Sequence, residues 1–319
     1  MRLRTSPLVA ALTAAVAAIA LTGPAAASPP PERSVSGAPS AGCNADHPQS
    51  RPPAGRSVDR TVTVDGEPRT YVLHVPAGYD PATPTPLVLS FHGHGRTAAY
   101  QESLTGMSAL DALVAYPQGV VGTDGKTAWQ GAPYSADVDD IAFTRALIHQ
   151  VADELCVDGR RVFAAGKSNG GGFAALVACR LADRVAAAAM VSGAFYPQGG
   201  ACRPGRPVPV LDFHGQADTT IPYTGNAAKG LPALPDWLAD WARRDGCRAT
   251  PHTTRVEVNV VRQQWSGCAG KAAVEHYRIE DGGHVWPATT PNEDSATPTT
   301  IDATPLIWTF FSRHPLPRR

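Results

Sequence analysis

The order of apolar and helical patterns predicts an α/β domain with a mostly parallel central sheet. Three observations carry this. Short, mostly apolar runs at 87–91, 113–117, 162–165, 185–191 and 208–213 read as strands, and the continuous run at 87–91 as one buried on both faces. Segments with helical spacing separate them, which is the pattern of parallel strands joined by crossovers. An alternating pair, 60–64 and 69–75, flanks Asp65-Gly66 and reads as an N-terminal β-hairpin.

The chain has 319 residues, enough for one large domain with a substantial core. Basic and acidic side chains balance at 28 each, so a polyanionic partner such as nucleic acid has no support. Residues 1–27 read as a signal peptide. Arg2 and Arg4 precede an apolar, Ala-rich run at 8–21, and Ala25-Ala26-Ala27 offers a small-residue cleavage site. That run falls short of the roughly 20 residues a membrane span needs. The expectation is a secreted, extracellular protein without a membrane partner. Residues 28–56, rich in Pro and Ser, read as an extended arm, and 57–319 as the catalytic-size domain.

Six cysteines follow the leader, and an even count in an exported chain argues for disulfides. Cys247 and Cys268 flank one hairpin, and Cys179 and Cys202 flank one helix-strand unit. That leaves Cys43 with Cys156, although six cysteines allow many other connectivities. No Cys-x-x-Cys pair supports a zinc site, so no metal is expected.

Taken in order, Leu104, Met107 and Leu110 suggest a first helix after strand 87–91. Residues 137–155 form a second, with Asp137, Asp139 and Asp140 in an acidic first turn. Residues 173–181 form a third. Trp237, Leu238 and Trp241 stand at helical spacing and read as core. Strands are expected at 255–261 and 274–279, and a closing helix at 305–312.

Chemistry is concentrated where strands end. Gly166-Lys167-Ser168-Asn169-Gly170 joins a strand to a helix, as a nucleophile elbow does. A serine hydroxyl needs an adjacent base. His284 follows the last strand on a glycine-flanked loop, and Asp218 follows the strand ending near His214-Gly215. Ser, acid, His is the chain order of α/β-hydrolases. Asp212 is a rival acid, but it lies within a strand, where its side chain points to a sheet face. An oxyanion hole needs backbone N–H donors. Asn169 and His94, in His92-Gly93-His94-Gly95, are the candidates. His92-x-His94 lacks a third ligand at sensible spacing, which argues against a metal pair.

Six motifs in order carry a family resemblance: Gly166–Phe173, Phe91-His92-Gly93, Tyr116-Pro117-Gln118-Gly119, Trp129–Tyr134, Phe213-His214-Gly215-x-x-Asp218 and Gly283-His284-x-Trp286-Pro287. Together they resemble the secreted feruloyl esterases of the carbohydrate esterase group, kin to extracellular polyhydroxybutyrate depolymerases. The resemblance spans about 43–312. It implies a catalytic triad on Ser168, Asp218 and His284, no cofactor, and hydrolysis of hydroxycinnamoyl esters on plant cell-wall polysaccharide. His94 stands where depolymerase relatives often carry Cys, which leans towards the feruloyl esterases.

An aromatic acyl group needs a flat apolar slot. Trp129, Tyr134 and Trp286 lie on loops near the expected site and are its candidate walls. Polyhydroxybutyrate and acetylated xylan are the alternative substrates. An inactive exported binding protein on the same scaffold is the alternative of another class, because fold alone does not imply activity.

Overall fold

The computed structural model describes Met1, residues 40–43 and residues 52–318. The expected signal peptide and most of the expected N-terminal arm lie outside these, and all that follows concerns the unit Val35–Arg319. Its centre is a ten-stranded sheet. The first two strands, β1 (Arg56–Val64) and β2 (Glu67–Val75), form the expected hairpin. Asp65 and Gly66 turn it with φ of 51° and 86°, the paired positive values a tight two-residue turn requires.

Next come β3 (Thr85–Phe91), α1 (Ala98–Thr105), β4 (Leu113–Pro117), and the small hairpin β5 (Val120–Val121) and β6 (Thr127–Ala128). They are followed by α2 (Asp140–Glu154), β7 (Val157–Lys167), α3 (Asn169–Arg180), β8 (Ala187–Val191) and β9 (Val210–Gly215). The remainder is α4 (Leu234–Arg244), β10 (His252–Glu257), β11 (Val260–Trp265), β12 (Val274–Ile279) and α5 (Ala303–Arg313). The sheet order is β1-β2-β4-β3-β7-β8-β9-β12-β11-β10. Its middle six strands, β4 to β12, are parallel, and antiparallel strands finish both edges.

Continuous apolar runs are needed here because both faces are covered. Along β3, Leu87, Leu89 and Phe91 pack in one cluster with α2, α3 and α4, while Val88 packs in the other with α1 and α5. Period-two alternation thus feeds two cores from one strand. Asp139 caps α2, accepting the Ala142 N–H at 2.9 Å, so that helix starts later than the acidic cluster suggests.

The expected single strand 255–261 is two. Val258 and Asn259 turn between β10 and β11. The β-branched alternation there reads as continuous strand, but Asn259 ties the turn to other loops: it donates to Asp281 at 2.6 Å and accepts from Thr300 at 2.6 Å. The disulfides are Cys179–Cys202 and Cys247–Cys268, as flanking suggested, and Cys43–Cys156, the pair left over. Around Cys43, the N–H of Gly42 donates to Ala152 O at 2.9 Å, and Ser40 Oγ donates to Leu155 O at 2.8 Å. No helix among the described residues is long and apolar enough to cross a membrane.

Candidate active site

β7 ends at Lys167 and α3 begins at Asn169, so Ser168 alone makes the strand-to-helix turn. Its φ of 57° and ψ of −122° are strained for a non-glycine residue. Such a conformation costs about 1–3 kcal/mol and persists only when the surroundings hold it. They do: the Ser168 N–H donates to Val191 O at 2.9 Å, and its carbonyl accepts from Gly172 at 3.0 Å and Ala194 at 2.9 Å. The flanking glycines are required by close approach. A Cβ on Gly166 would lie 2.2 Å from Gly170 O, and one on Gly170 would lie 2.2 Å from Phe91 O.

The candidate acid and base stand on two loops locked together beyond the same strand edge. The N–H groups of Gln216 and Ala217 donate to Ile279 O at 2.8 Å and Gly282 O at 3.0 Å. A Cβ on Gly215 would lie 2.1 Å from Gly282 O, so the loops touch backbone to backbone. His284 Nδ1–H therefore reaches Asp218 Oδ2 at 2.7 Å. Asp218 Oδ1 accepts the N–H groups of Thr220 at 2.8 Å and Ile221 at 2.9 Å. Burial pushes the Asp218 carboxyl up, but the hydrogen bond and charge of His284 and the Ile221 N–H outweigh it. The net shift is downward, and the group is held as a carboxylate.

Ser168, Asp218 and His284 thus follow β7, β9 and β12 at their carboxyl ends. The structure brings acid and base into contact and does not close a hydrogen bond from Ser168 Oγ to His284. The rival Asp212 is buried within β9, with His276 Nδ1 at 2.9 Å. His214 donates from Nε2 to Ile221 O at 2.8 Å and so steadies the acid loop.

The N–H groups of Asn169 and His94 donate to no described backbone group. The His94 ring stacks on Tyr134 at 4.2 Å, with Nε2 2.8 Å from Asp124. Beneath it, His92 donates from Nδ1 to Gly93 O at 2.8 Å and accepts the Gly119 N–H at Nε2 at 2.9 Å, so the ring is a neutral fixed tautomer. A Cβ on Gly93 would lie 3.5 Å from Ser168 Cβ, which puts this loop against the nucleophile candidate.

Burial pushes His92 down to about 4, from 6.5. Its neutral form contributes stability present above pH 6.5 and lost as pH falls towards 4, about 3 kcal/mol by linkage. Asp245, buried at the end of α4, works the other way. Burial raises it from 3.8 to about 6, so its penalty on the fold, also about 3 kcal/mol, is relieved as pH falls through 6. The two nearly cancel between pH 6.5 and 4. Asp245→Asn is expected to unmask the His92 loss: urea titrations should show the variant losing roughly 2–3 kcal/mol more than wild type over that window. Parallel curves would refute this.

Two further polar groups escaped the sequence reading. Lys167 Nζ meets Asp294 at 2.7 Å, both buried. Asp294 also accepts the Trp286 N–H at 2.8 Å and Tyr100 OH at 2.9 Å. This carboxylate ties the elbow to the loop that carries His284. No local pattern marks Asp294; a lysine directly before Ser168 was the only signal. Breaking a buried ion pair costs more than removing it whole. Asp294→Ala is expected to destabilise by about 3–5 kcal/mol, and Lys167→Met/Asp294→Leu by less. Thermal unfolding of both variants checks this, and a double variant worse than the single would contradict it.

Two expected substrate walls are corrected. Trp129 is fully buried, stacked on Phe173 at 5.1 Å and edge-on to Phe91 at 5.2 Å, with Nε1–H donating to His92 O at 2.8 Å. It is the floor under the His92–Gly95 loop. Its backbone N–H donates to Asn169 Oδ1 at 2.8 Å, joining that floor to α3. Trp286 is 2% exposed and donates to Thr304 Oγ1 at 3.2 Å, packed in the α1/α5 core. Both rings sit on glycine- and proline-rich loops, whose composition hides how deeply they fold in. Tyr134 stays half-buried at the surface, edge-on to Tyr196 at 5.8 Å.

The chain is similar to known proteins. The family described as "Esterase PHB depolymerase" matches residues 69–204. Feruloyl esterase C of Emericella nidulans is 31% identical over 224 residues, 68% of this chain and 76% of that protein. The chain belongs to the feruloyl esterase and polyhydroxybutyrate depolymerase-like family. Feruloyl esterase B of Piromyces equi is 32% identical over 231 residues, which cover 68% of this esterase but only 42% of that longer protein. The acetyl xylan esterase of Aspergillus awamori superposes with a TM-score of 0.56 over 72% of this chain and 94% of its own, at 15% identity. That likeness concerns the α/β-hydrolase fold.

Proposed function

We propose that this chain is an exported serine esterase that cleaves feruloyl and related hydroxycinnamoyl esters on plant cell-wall polysaccharide. The observation that carries the reading is the 2.7 Å Asp218–His284 hydrogen bond, supported by a strained Ser168 at the carboxyl end of β7. Asp218 fixes the imidazole with Nδ1 protonated, so Nε2 is free to take a proton. His284 removes the Ser168 proton as Oγ attacks the ester carbonyl. The N–H groups of Asn169 and His94 face the oxyanion. Collapse releases the alcohol, which takes the proton from His284, and leaves an acyl-enzyme. Water, deprotonated by His284, then attacks the acyl carbon and frees the acid and Ser168. Three disulfides and the leader-like residues 1–27 support an exported enzyme.

Acetylated xylan is a second reading, favoured by the 28% identity to the bifunctional acetylxylan esterase/xylanase XynS20E of Neocallimastix patriciarum. A panel of methyl ferulate, p-nitrophenyl acetate, acetylxylan and polyhydroxybutyrate tests both. The expected result is a kcat/KM for methyl ferulate well above the rates on the other three. Faster acetate release from acetylxylan would move the assignment to the second reading. Absence of turnover on all four would remove the esterase proposal.

A further inference from the structure

With Trp129 and Trp286 buried, the acyl group needs another place to go, and a groove along α3 provides it. The groove has a volume of about 320 Å³. It begins at Asn169 and Gly172, on the first turn after Ser168, and runs past Leu176 towards the Cys179–Cys202 disulfide. At 1.5 Å per residue, Asn169 to Leu176 covers about 10 Å. None of the three catalytic candidates lines this groove or either of two larger clefts of about 690 Å³, but only this groove reaches the α3 turn that follows Ser168.

The wall opposite α3 is aromatic. Phe195 and Trp237 stack with ring centroids 3.7 Å apart and planes 13° apart, and Trp241 backs them at 5.2 Å from Trp237. Tyr196 continues this wall, in edge contact with Tyr134, which itself stacks on His94. The floor is backbone. Gly131 and Gly199 lie face to face, with a Cβ on Gly131 falling 3.3 Å from Gly199 Cα. The polar side chains bordering it are Gln130, whose Oε1 is buried without a partner among the described residues, Asn169, Tyr196 and Arg244. The Asn169 amide is committed to the Trp129 backbone. Arg244 lies at the outer end, its guanidinium 4.7 Å over the Trp241 ring.

A sugar would leave most of its hydroxyls unpaired on such a surface, which costs affinity. An acetyl group would occupy the first turn and leave most of the groove empty. A flat ring on a conjugated spacer matches an extended apolar slot with stacking walls.

We propose that this groove is the acyl site, and that it selects an arylpropenoyl group by seating its ring between Leu176 and the Phe195–Trp237 wall, with Arg244 donating to a ring oxygen. The proposal rests on Ser168 being the nucleophile. Removing a stacking ring, or filling the slot, lowers turnover of the long acyl group far more than that of acetate.

The test measures the ratio of kcat/KM for methyl ferulate to that for p-nitrophenyl acetate in Trp237→Ala and Leu176→Trp, with circular dichroism to establish folding. Trp237→Ala is expected to lower the ratio about tenfold or more, and Leu176→Trp, which fills the groove from the helix side, by at least as much. Should Trp237→Ala fail to fold, Leu176→Trp decides alone. A ratio within twofold of wild type in folded Leu176→Trp overturns the groove and leaves the esterase standing. A wild type that cleaves p-nitrophenyl acetate but not methyl ferulate also overturns it. A wild type that cleaves neither, with Ser168 unlabelled by a fluorophosphonate, overturns the esterase reading itself.

Discussion

Ser168→Ala is expected to lower kcat on methyl ferulate by on the order of 10⁴- to 10⁶-fold and to abolish labelling by a fluorophosphonate. The side chain makes no hydrogen bond to any described residue, so the loss would be chemical. Stability should stay within about 1 kcal/mol of wild type, because the elbow is held by its backbone: Ser168 N–H to Val191 O, and Ser168 O to Gly172 and Ala194. Alanine inherits the same strained φ of 57°. Residual turnover from the oxyanion donors and from substrate positioning sets the floor. A folded Ser168→Ala variant within tenfold of wild type would exclude an acyl-enzyme on this residue.

Asp218→Asn is expected to cost about 10⁴-fold in kcat near neutral pH while leaving the fold intact. The direction follows from the atoms around the carboxylate. The N–H groups of Thr220 and Ile221 both point at Oδ1, at 2.8 and 2.9 Å. In the variant the amide oxygen must take that side, because two donors cannot face an NH₂ group. The NH₂ group then faces His284 Nδ1 and donates to it. The imidazole is forced into the tautomer with its proton on Nε2, which cannot accept a proton from Ser168. Backbone amide exchange in the 215–221 loop should stay close to wild type, separating this from loop collapse. A variant with normal kcat would mean that Asp218 does not orient the base.

Much of this arrangement was legible in residue order. Parallel strands end on one edge, so reactive groups following them converge whatever their distance in sequence. That is why Ser168, Asp218 and His284 could be chosen together, and why Asp212, inside β9, could be set aside. The hairpin around Asp65-Gly66 and the Cys179–Cys202 and Cys247–Cys268 pairs were legible because those constraints are short in sequence, whereas Cys43–Cys156, 113 residues apart, followed only as the pair left over. Asp294 was not legible. Its partners, Lys167, Tyr100 and the Trp286 backbone, come from three separate elements, and no spacing rule links them. The turn at Val258 and Asn259 was hidden by valines that favour strand on either side.

The sequence by itself determined the fold class, the doubly covered sheet and the strand-end positions of the candidate triad. These depend on periodicity and on chain order, which are one-dimensional. Tertiary structure decided which aromatics face substrate. Trp129 and Trp286 sit on loops, as a binding residue would, yet fold inward, where their ring N–H groups find acceptors in His92 O and Thr304 Oγ1. Trp237, at helical spacing and expected in the core, lines the groove, with Phe195 from the segment closed by Cys179–Cys202 stacked on its ring. Burial of a large amphipathic ring is settled by the partner its polar atom meets, and that partner is supplied by the fold.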